Sequence, residues 1–296
     1  MDSATHNPKT HVSHHYVPDF LLRNWHSPTH PKKLLQYEWT PRDLDIREYT
    51  AKSVAKLNHL YSRKSADGEL DVSIEKNYFG PIIDSPAAMV MSKILSNGVS
   101  SLNETQRLTW AYFLVAQMVR VPSMLEEFRE RAEEDFEQGI DEVSIRSGRT
   151  SFREYAENYK ATAAHNVSVE MLPDVIRDPR LSTCLLRASW RSIDLKSGGI
   201  GLLMGDRPLL RVGPLKGNFL FTLPLSPTTV FCVASYDGSL QKMLDENPKV
   251  LAKTLNKDTV VKAERYVYAQ DRSNTILIRK YLKNSYAADR TESDLA

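Results

Sequence analysis

Two adjacent histidines near the N-terminus, His14 and His15, are the most distinctive candidates for chemistry in the sequence. Imidazole is a frequent metal ligand and general base near neutral pH. The run continues as Tyr16-Val17-Pro18, and the proline favours an extended backbone before it, so neighbouring side chains should point to opposite faces. We therefore expect one histidine in a catalytic site. The alternative is that a histidine only donates a hydrogen bond to a backbone carbonyl and ties the N-terminus to the core.

Two acidic residues, Glu75 and Asp206, are candidates to hold a divalent cation, Mg²⁺ or Mn²⁺, beside a histidine. Asp206 follows an apolar segment and lies between Gly205 and Pro208, a setting that presents a carboxylate rigidly at the end of a strand. The alternative is an Asx turn in which the carboxylate hydrogen-bonds its own neighbouring backbone. Glu75 lies on a predicted helix, on a face whose other residues are apolar.

Two more polar residues lie on predicted helices. His165 follows a run of small residues, where a histidine is more often hydrogen-bonded within the core than bound to a metal, and both interpretations stay open. Arg120 ends an apolar helix just before Pro122. It can serve the last carbonyls of that helix, a buried acid or an anionic substrate. We treat His165 as a candidate metal ligand and Arg120 as a candidate catalytic residue.

The elements that position these residues follow from periodicity and turn signals. In the N-terminal part the sequence predicts a short helix from Asp19, a hairpin of 33–39 and 46–51, and a helix over 74–96 that breaks at Gly80-Pro81. Three capping boxes, in which a polar side chain accepts the amide three residues on, predict helix starts in the middle third. They are Asn103/Gln106, Ser123/Glu126 and Ser151/Glu154.

After Arg187 the apolar runs become shorter and glycine and proline more frequent, which predicts strands over 200–204, 218–223 and 229–234. Strands from both ends around a helical middle favour an α+β fold. We expect a lead-in over 1–13, a single α+β domain over 14–285 with a possible helical subdomain at 71–172, and a flexible tail over 286–296.

The helix predicted from Ser123 is strongly acidic: residues 123–142 contain nine acidic residues and two arginines, a local formal charge of −7. A solvated helix face is the ordinary explanation of such a run. The alternative is a docking surface for a basic protein partner.

Composition excludes collagen-like, disordered and disulfide-stabilised proteins. The chain has 296 residues, of which 41% are hydrophobic and 26% charged, a net charge of +2 and two cysteines. We expect a cytoplasmic protein with no membrane span. The sequence contains no Walker, dinucleotide-binding, zincin, C-x-x-C or G-x-S-x-G motif, which disfavours nucleotide hydrolysis of the Walker type and organic redox cofactors.

Motifs spread along the chain resemble those of one bacterial family. The run from His14 to Trp25 is similar to the pattern HHYVPxFxLxxF, with Trp25 in place of the last phenylalanine. Further similarities are Ile74-Glu75-Lys76 to I-E-K, Arg120-Val121-Pro122 to R-T-P, Gly205-Asp206-Arg207-Pro208 to S-D-N-P, and Leu223-Pro224-Leu225-Ser226-Pro227 to P-L-S-P. Over residues 11–270 the chain thus resembles the proteins grouped as domain of unknown function 4238. The resemblance implies no reaction, but it directs attention to His15, Glu75, Arg120, His165 and Asp206, and then to His14.

The chain departs from that pattern at two places. Gly205 and Arg207 replace a serine and an asparagine beside Asp206, and Asp84 stands where a second helix glutamate is usual. Arg207 therefore adds a positive charge next to Asp206, where it could replace a metal or bind an anionic group.

Two functions remain open. The histidine strand also resembles, in part, that of HNH-type nucleases, with Asn58-His59 as the nearest partner. Our leading hypothesis is a metal-assisted phosphodiesterase of the nuclease type, in which Glu75 and Asp206 bind the cation and His15 activates water. Its substrate would be nucleic acid or another phosphate-bearing molecule. The alternative is a non-catalytic binding or regulatory module of a bacterial genetic-conflict or defence system, docking a basic partner at 123–142.

Overall fold

The computed structural model describes residues 13–65, 68–147 and 150–282. The N-terminal part consists of short strands and one helical turn. Its elements are β1 (Ser13–His15), α1 (Asp19–Leu22), β2 (Leu34–Trp39), β3 (Leu44–Tyr49), β4 (Lys56–Asn58), β5 (Arg63–Lys64) and β6 (Leu70–Asp71). Strands β2 and β3 form an antiparallel hairpin, and β1 pairs with β4 so that His15 faces Lys56 across the ladder.

The middle part is helical. It begins with an eleven-residue π-helix (Ile74–Asp84) that continues directly into α2 (Ser85–Asn97). The helices that follow are α3 (Glu104–Val119), α4 (Pro122–Ser147), α5 (Thr150–Glu170), α6 (Leu172–Ile176) and α7 (Pro179–Arg187). Pro81 removes one backbone donor inside the π-helix, so the predicted break at Gly80-Pro81 takes the form of wide turns and the chain stays helical.

The C-terminal part supplies strands and two more helices. They are β7 (Ser189–Asp194), β8 (Met204–Gly205), β9 (Leu210–Val212), β10 (Leu220–Ser226), β11 (Thr229–Ala234), α8 (Asp237–Asp245), α9 (Pro248–Lys262) and β12 (Tyr266–Ala269), and residues 275–282 are helical. One antiparallel sheet has the order β7-β11-β10-β9. A second has the order β3-β2-β12-β8, so the N-terminal hairpin and the C-terminal strand β12 share one sheet.

The largest apolar core joins all three parts of the chain. It contains Trp25 from the N-terminal part, Trp110 and Phe113 from α3, and Trp190 and Phe231 from the C-terminal sheet. In the described part of the chain no helix combines the length and the apolar character that crossing a membrane requires.

The predicted α+β class is confirmed, and so is the capping box at Asn103, whose side chain accepts the amide of Gln106 while Gln106 returns a bond to the backbone of Asn103. The predicted start of a new helix near Ser123 is confirmed, but the predicted capping box of Ser123 and Glu126 is wrong. Helix α4 starts one residue earlier, and the Ser123 hydroxyl donates to Glu264, which is remote in sequence. Of the predicted strand over 200–204, only its last residue belongs to β8.

Three predictions fall on residues that are not described. They are the lead-in up to residue 12, the tail over 286–296 and the cap formed by the Ser151 side chain. The domain boundaries stay predictions.

Candidate functional site

Arg120 is the centre of a buried polar cluster. Its side chain is fully buried at the end of α3, and Nη1 and Nη2 donate to the Asp84 carboxylate at 2.7 and 3.2 Å. Nη2 also donates to the carbonyl of His15 at 2.6 Å, and the Tyr61 hydroxyl donates to the carbonyl of Arg120 at 2.6 Å. Together with Glu75 these residues form what we call the Arg120 cluster: His15, Tyr61, Glu75, Asp84 and Arg120.

The π-helix explains how two of its acids reach one guanidinium. Glu75 and Asp84 are nine residues apart, which is two and a half turns of an α-helix and would place them on opposite faces. The i to i+5 turns of a π-helix are wider, and such turns are frequent at functional sites. Both acids interact with Arg120, and Phe79 of the same helix packs its ring 4.6 Å from the guanidinium carbon.

Glu75 differs from Asp84 in how its charge is compensated. Burial is the main cause that raises the pKa of Glu75 to about 7; the nearby Asp84 charge acts in the same direction, and Arg120 and the backbone amide of His15 oppose it. Its Oε2 is buried and accepts no hydrogen bond from a described residue. Glu75 is therefore a carboxyl group that can carry a proton near neutral pH.

His14 and His15 have different surroundings. The ring of His14 is fully buried, stacks on Tyr61 with ring centres 5.6 Å apart, and accepts the backbone amide of Tyr61 at Nδ1, 2.9 Å away. His15 is half-buried, and its Nε2 lies 3.1 Å from the carbonyl of Lys52. A carbonyl only accepts, so Nε2 carries the hydrogen and Nδ1 keeps its lone pair. Burial lowers the pKa of His15, which keeps the ring neutral.

Asp206 belongs to a neighbouring cleft. The cleft has a volume of about 350 Å³, and its lining includes Tyr16, Lys56, Pro122, Asp206 and Glu264. We call it the motif cleft because Tyr16, Pro122 and Asp206 come from three separate motifs of the sequence. His15 does not line the cleft, but the cleft adjoins the Arg120 cluster through Lys56, which lines it and is the strand partner of His15.

The Asp206 carboxylate holds together a distant turn. Its Oδ1 accepts the amide of Glu264 at 2.8 Å, and its Oδ2 accepts the amides of Arg265 and Tyr266 at 2.7 Å each. Burial raises the pKa of Asp206 to about 6, and the three amides oppose that shift. The predicted alternative of a backbone-capping acid therefore describes its contacts, except that the capped backbone is remote in sequence.

The comparisons with known proteins assign the chain to a family. The model of the family described as "Protein of unknown function (DUF4238)" matches residues 13–273. The chain belongs to the DUF4238 family. Neither the curated proteins nor the solved structures give a match.

The six candidate site residues of this DUF4238 chain divide into three places. His14, His15, Glu75 and Arg120 meet in or beside the Arg120 cluster, and Asp206 lies in the motif cleft. His165 lies elsewhere, on α5, and its Nε2 donates to the carbonyl of Ser62 at 2.8 Å.

The predicted metal ligands do not fit a common ion. Glu75, Asp206 and His165 are not brought together, and within residues 13–65, 68–147 and 150–282 no three His, Cys, Asp or Glu side chains are arranged to hold a metal. The physical reason is that Asp206 is committed to three amides and His165 to a carbonyl. We derive no chemical step through a metal.

Sequence reasoning missed Tyr16, Lys56 and Glu264 as site residues. Tyr16 stands inside the histidine motif and could have been included on that ground. Lys56 and Glu264 carry no local signal, because their place in the site comes from the pairing of β1 with β4 and from the contacts of Asp206.

Proposed function

We propose that this DUF4238 chain hydrolyses a phosphodiester, with His15 as general base and the motif cleft as the place where the substrate binds. The substrate class is nucleic acid or a related phosphate-bearing molecule. This proposal keeps the base that the sequence indicates and gives up the three-ligand metal site.

The observation that carries the proposal is the fixed tautomer of His15. Its Nε2–H is held by the carbonyl of Lys52, and Nδ1 accepts no hydrogen bond from the described residues. A neutral imidazole with one oriented, unoccupied nitrogen is what a general base for water requires. In the proposed step Nδ1 takes a proton from the water that attacks phosphorus, and the ester oxygen leaves with a proton from solvent.

Lys56 supports a phosphate-bearing substrate. It is the direct partner of His15 in the β1–β4 ladder, its charge contributes to lowering the pKa of His15, and its side chain lines the motif cleft. Lys56 lines the cleft and His15 does not, but cross-strand partners lie about 5 Å apart at Cβ, so the proposal places the reacting phosphate at the edge of the cleft beside Lys56, within reach of His15. The cleft volume of about 350 Å³ admits part of a nucleotide chain.

The backbone that carries Lys56 is unusual in a way that favours a functional role. Ala55 and His59, which flank β4, have positive φ values of 50° and 57°. Such conformations cost about 1–3 kcal/mol for residues other than glycine and are concentrated at functional sites. Arg120 acts as a positioning residue, because it binds the carbonyl of His15 and does not reach solvent.

The test is cleavage of bis(p-nitrophenyl) phosphate and of RNA and DNA oligonucleotides, with EDTA and separately with Mg²⁺ or Mn²⁺. We expect wild-type cleavage to fall by about 10²–10⁴-fold in His15→Gln, the range typical of a lost general base. Lys56→Gln should mainly raise KM. His30→Gln, at an exposed histidine that does not line the cleft, is the control and should retain full activity.

A wild-type protein that cleaves none of these substrates overturns the proposal, and so does a fully active His15→Gln. The alternative is a binding module that docks a basic partner through α4. A wild-type protein that is inactive in the cleavage assays, together with a Glu130→Lys/Glu134→Lys variant that loses biological function, would indicate this alternative. Both residues are exposed on that helix.

A further inference from the structure

Two tyrosines and a glutamine line the motif cleft from one face of the sheet β3-β2-β12-β8. Side chains alternate along a strand, so Leu34, Gln36 and Glu38 of β2 point to the same face. Tyr49 of β3 is the cross-strand partner of Leu34, and Tyr266 of β12 is the partner of Glu38. The two tyrosines therefore flank Gln36 on this face, and all three residues line the cleft.

The two tyrosine rings differ in what already covers them. Tyr49 and Tyr266 are half-buried, because each packs against the edge of the largest apolar core while it also lines the cleft. Arg265 covers part of Tyr266, with its guanidinium carbon 5.1 Å from the ring centre, and pairs with Glu38. No aromatic ring and no cation of the described residues is placed over the ring of Tyr49 in this way. An aromatic ring that borders a cleft without a stacking partner is a platform for a flat ligand.

The polar groups beside the rings suit a nucleotide. The side-chain amide of Gln36 is partly exposed and has no hydrogen-bond partner in the part of the chain that the structure describes. It offers both a donor and an acceptor to the edge of a base. Lys56 lines the same cleft from β4, forms no salt bridge with a described residue, and supplies the charge that binds a phosphate.

The two carboxylates of the cleft are already bound by other groups. Asp206 accepts three backbone amides, and Glu264 pairs with Arg207 at 3.4 Å and accepts the Ser123 hydroxyl. These partners compensate the two negative charges, so Lys56 remains available to an anionic group.

We propose that the motif cleft binds single-stranded nucleic acid, with one unpaired base against Tyr49 and Tyr266, the edge of that base at Gln36 and its phosphate at Lys56. A base inside a duplex has both faces covered by its neighbours, so it cannot contact the rings without leaving the stack. Aromatic side chains on a sheet surface bind unstacked bases, with little sequence preference because every base has a flat face. A single strand bound in this way is the substrate of the proposed hydrolysis, and its assignment as substrate rests on that function.

The experiment separates binding from cleavage. In the His15→Gln background the proposed cleavage is blocked, so fluorescence anisotropy with short labelled oligonucleotides reports affinity alone. We expect a single strand of RNA or DNA to bind at least about tenfold more tightly than the duplex of the same sequence, because the duplex withholds its bases. The same difference should separate the single strand from an abasic strand, which keeps the phosphates but has no bases.

Two substitutions at Tyr49 test the stack itself. Tyr49→Phe keeps the ring and should bind as wild type, whereas Tyr49→Leu keeps an apolar side chain against the core but removes the ring. Tyr49→Leu should bind the single strand about 5- to 100-fold more weakly, the loss typical of one base stack, with its affinity for the abasic strand unchanged. Tyr236→Leu, at an exposed tyrosine that does not line the cleft, is the matched control and should bind as wild type.

Further variants test the remaining contacts. Lys56→Gln should weaken binding of the single strand and of the abasic strand alike, because it removes a phosphate contact. Circular dichroism establishes whether Tyr49→Leu is folded. If it is not, Tyr266→Leu compared with Tyr266→Phe gives the same contrast at the second ring.

The outcomes distinguish this site from the proposed reaction. Equal affinity for the single strand and the duplex, or for the single strand and the abasic strand, overturns the single-strand site, and so does a folded Tyr49→Leu that binds as wild type. Cleavage of bis(p-nitrophenyl) phosphate by a protein with no preference for single strands overturns this site alone. Preferential binding of single strands by a wild-type protein that cleaves nothing supports the site and contradicts the proposed hydrolysis.

Discussion

Two carboxylates share the buried charge of Arg120 unequally. Asp84 forms two hydrogen bonds with the guanidinium and so neutralises it, whereas Glu75 interacts with it only through space and leaves Oε2 unpartnered. One carboxylate already neutralises the buried guanidinium. A second buried carboxylate therefore gains less attraction to the guanidinium on ionising than it loses in hydration free energy. This is why the pKa of Glu75 rises to about 7 although an arginine is close.

Glu75 should therefore make stability depend on pH. Its folded-state pKa of about 7 lies above the ordinary value of 4.5, so the folded state holds a proton that the unfolded state releases between those two values. The contribution of protonated Glu75 to the free energy of unfolding is fully present below about pH 4.5 and is lost as the pH rises through 7. Glu75→Gln mimics the protonated group. Relative to wild type it should gain on the order of 1–3 kcal/mol between pH 5 and pH 8.

Urea unfolding of both proteins across this range measures the difference. Glu134→Gln, at an exposed glutamate in the middle of α4, is the control and should follow the wild-type profile. A constant difference between Glu75→Gln and wild type at all pH values would show that Glu75 does not titrate in this range.

At the scale of elements, local signals could be predicted and remote ones could not. The capping box of α3 depends on residues three apart, and it forms as predicted. Ser123 has the same local pattern, but Glu264 offers its hydroxyl a charged acceptor 141 residues away. Likewise Asp206 has the signature of a local turn, yet its three amide partners are 58–60 residues further along the chain. When a partner remote in sequence replaces a local hydrogen-bond partner in this way, the sequence shows no periodic pattern that predicts it.

The π-helix is a second feature that the sequence does not predict, here within a single element. The sequence predicts one helix with a break over these eleven residues and the following α2, because apolar spacing distinguishes a helix from a strand but not one helical hydrogen-bond register from another. The wide register nevertheless decides the candidate site, since it directs both Glu75 and Asp84 to Arg120.

The cap of α3 gives a prediction at this scale. Asn103→Ala removes the acceptor of the Gln106 amide and should lower the free energy of unfolding by about 1 kcal/mol. Asn103→Asp keeps the acceptor and places a negative charge at the helix N-terminus, so it should match or exceed wild type. Urea denaturation checks both variants, and an equal loss in the two would contradict the capping explanation.

At the scale of the whole molecule, the helices and the C-terminal sheet share one core. Phe231 of β11 packs edge-to-face against Trp110 of α3 with ring centres 5.7 Å apart, and against Trp190 of β7 at 5.3 Å. Trp25, from the N-terminal part, donates its indole hydrogen to the carbonyl of Leu202 at 2.8 Å. The Trp110–Phe231 contact crosses the boundary of the predicted subdomain over 71–172, and Trp25 belongs to the same core, which argues that the helices of 71–172 are stabilised by the rest of the chain.

We therefore expect one cooperative unfolding transition, in which tryptophan fluorescence and far-UV circular dichroism have the same urea midpoint. Phe231→Ala opens a cavity between the helices and the sheet and should cost about 3–5 kcal/mol, shifting both signals equally. Val212→Ala, at an exposed residue of strand β9 in the same sheet, should change the free energy of unfolding by less than about 0.5 kcal/mol. A helical signal that keeps its wild-type midpoint in Phe231→Ala would instead establish the middle helices as an independent unit, because their stability would then not depend on the sheet.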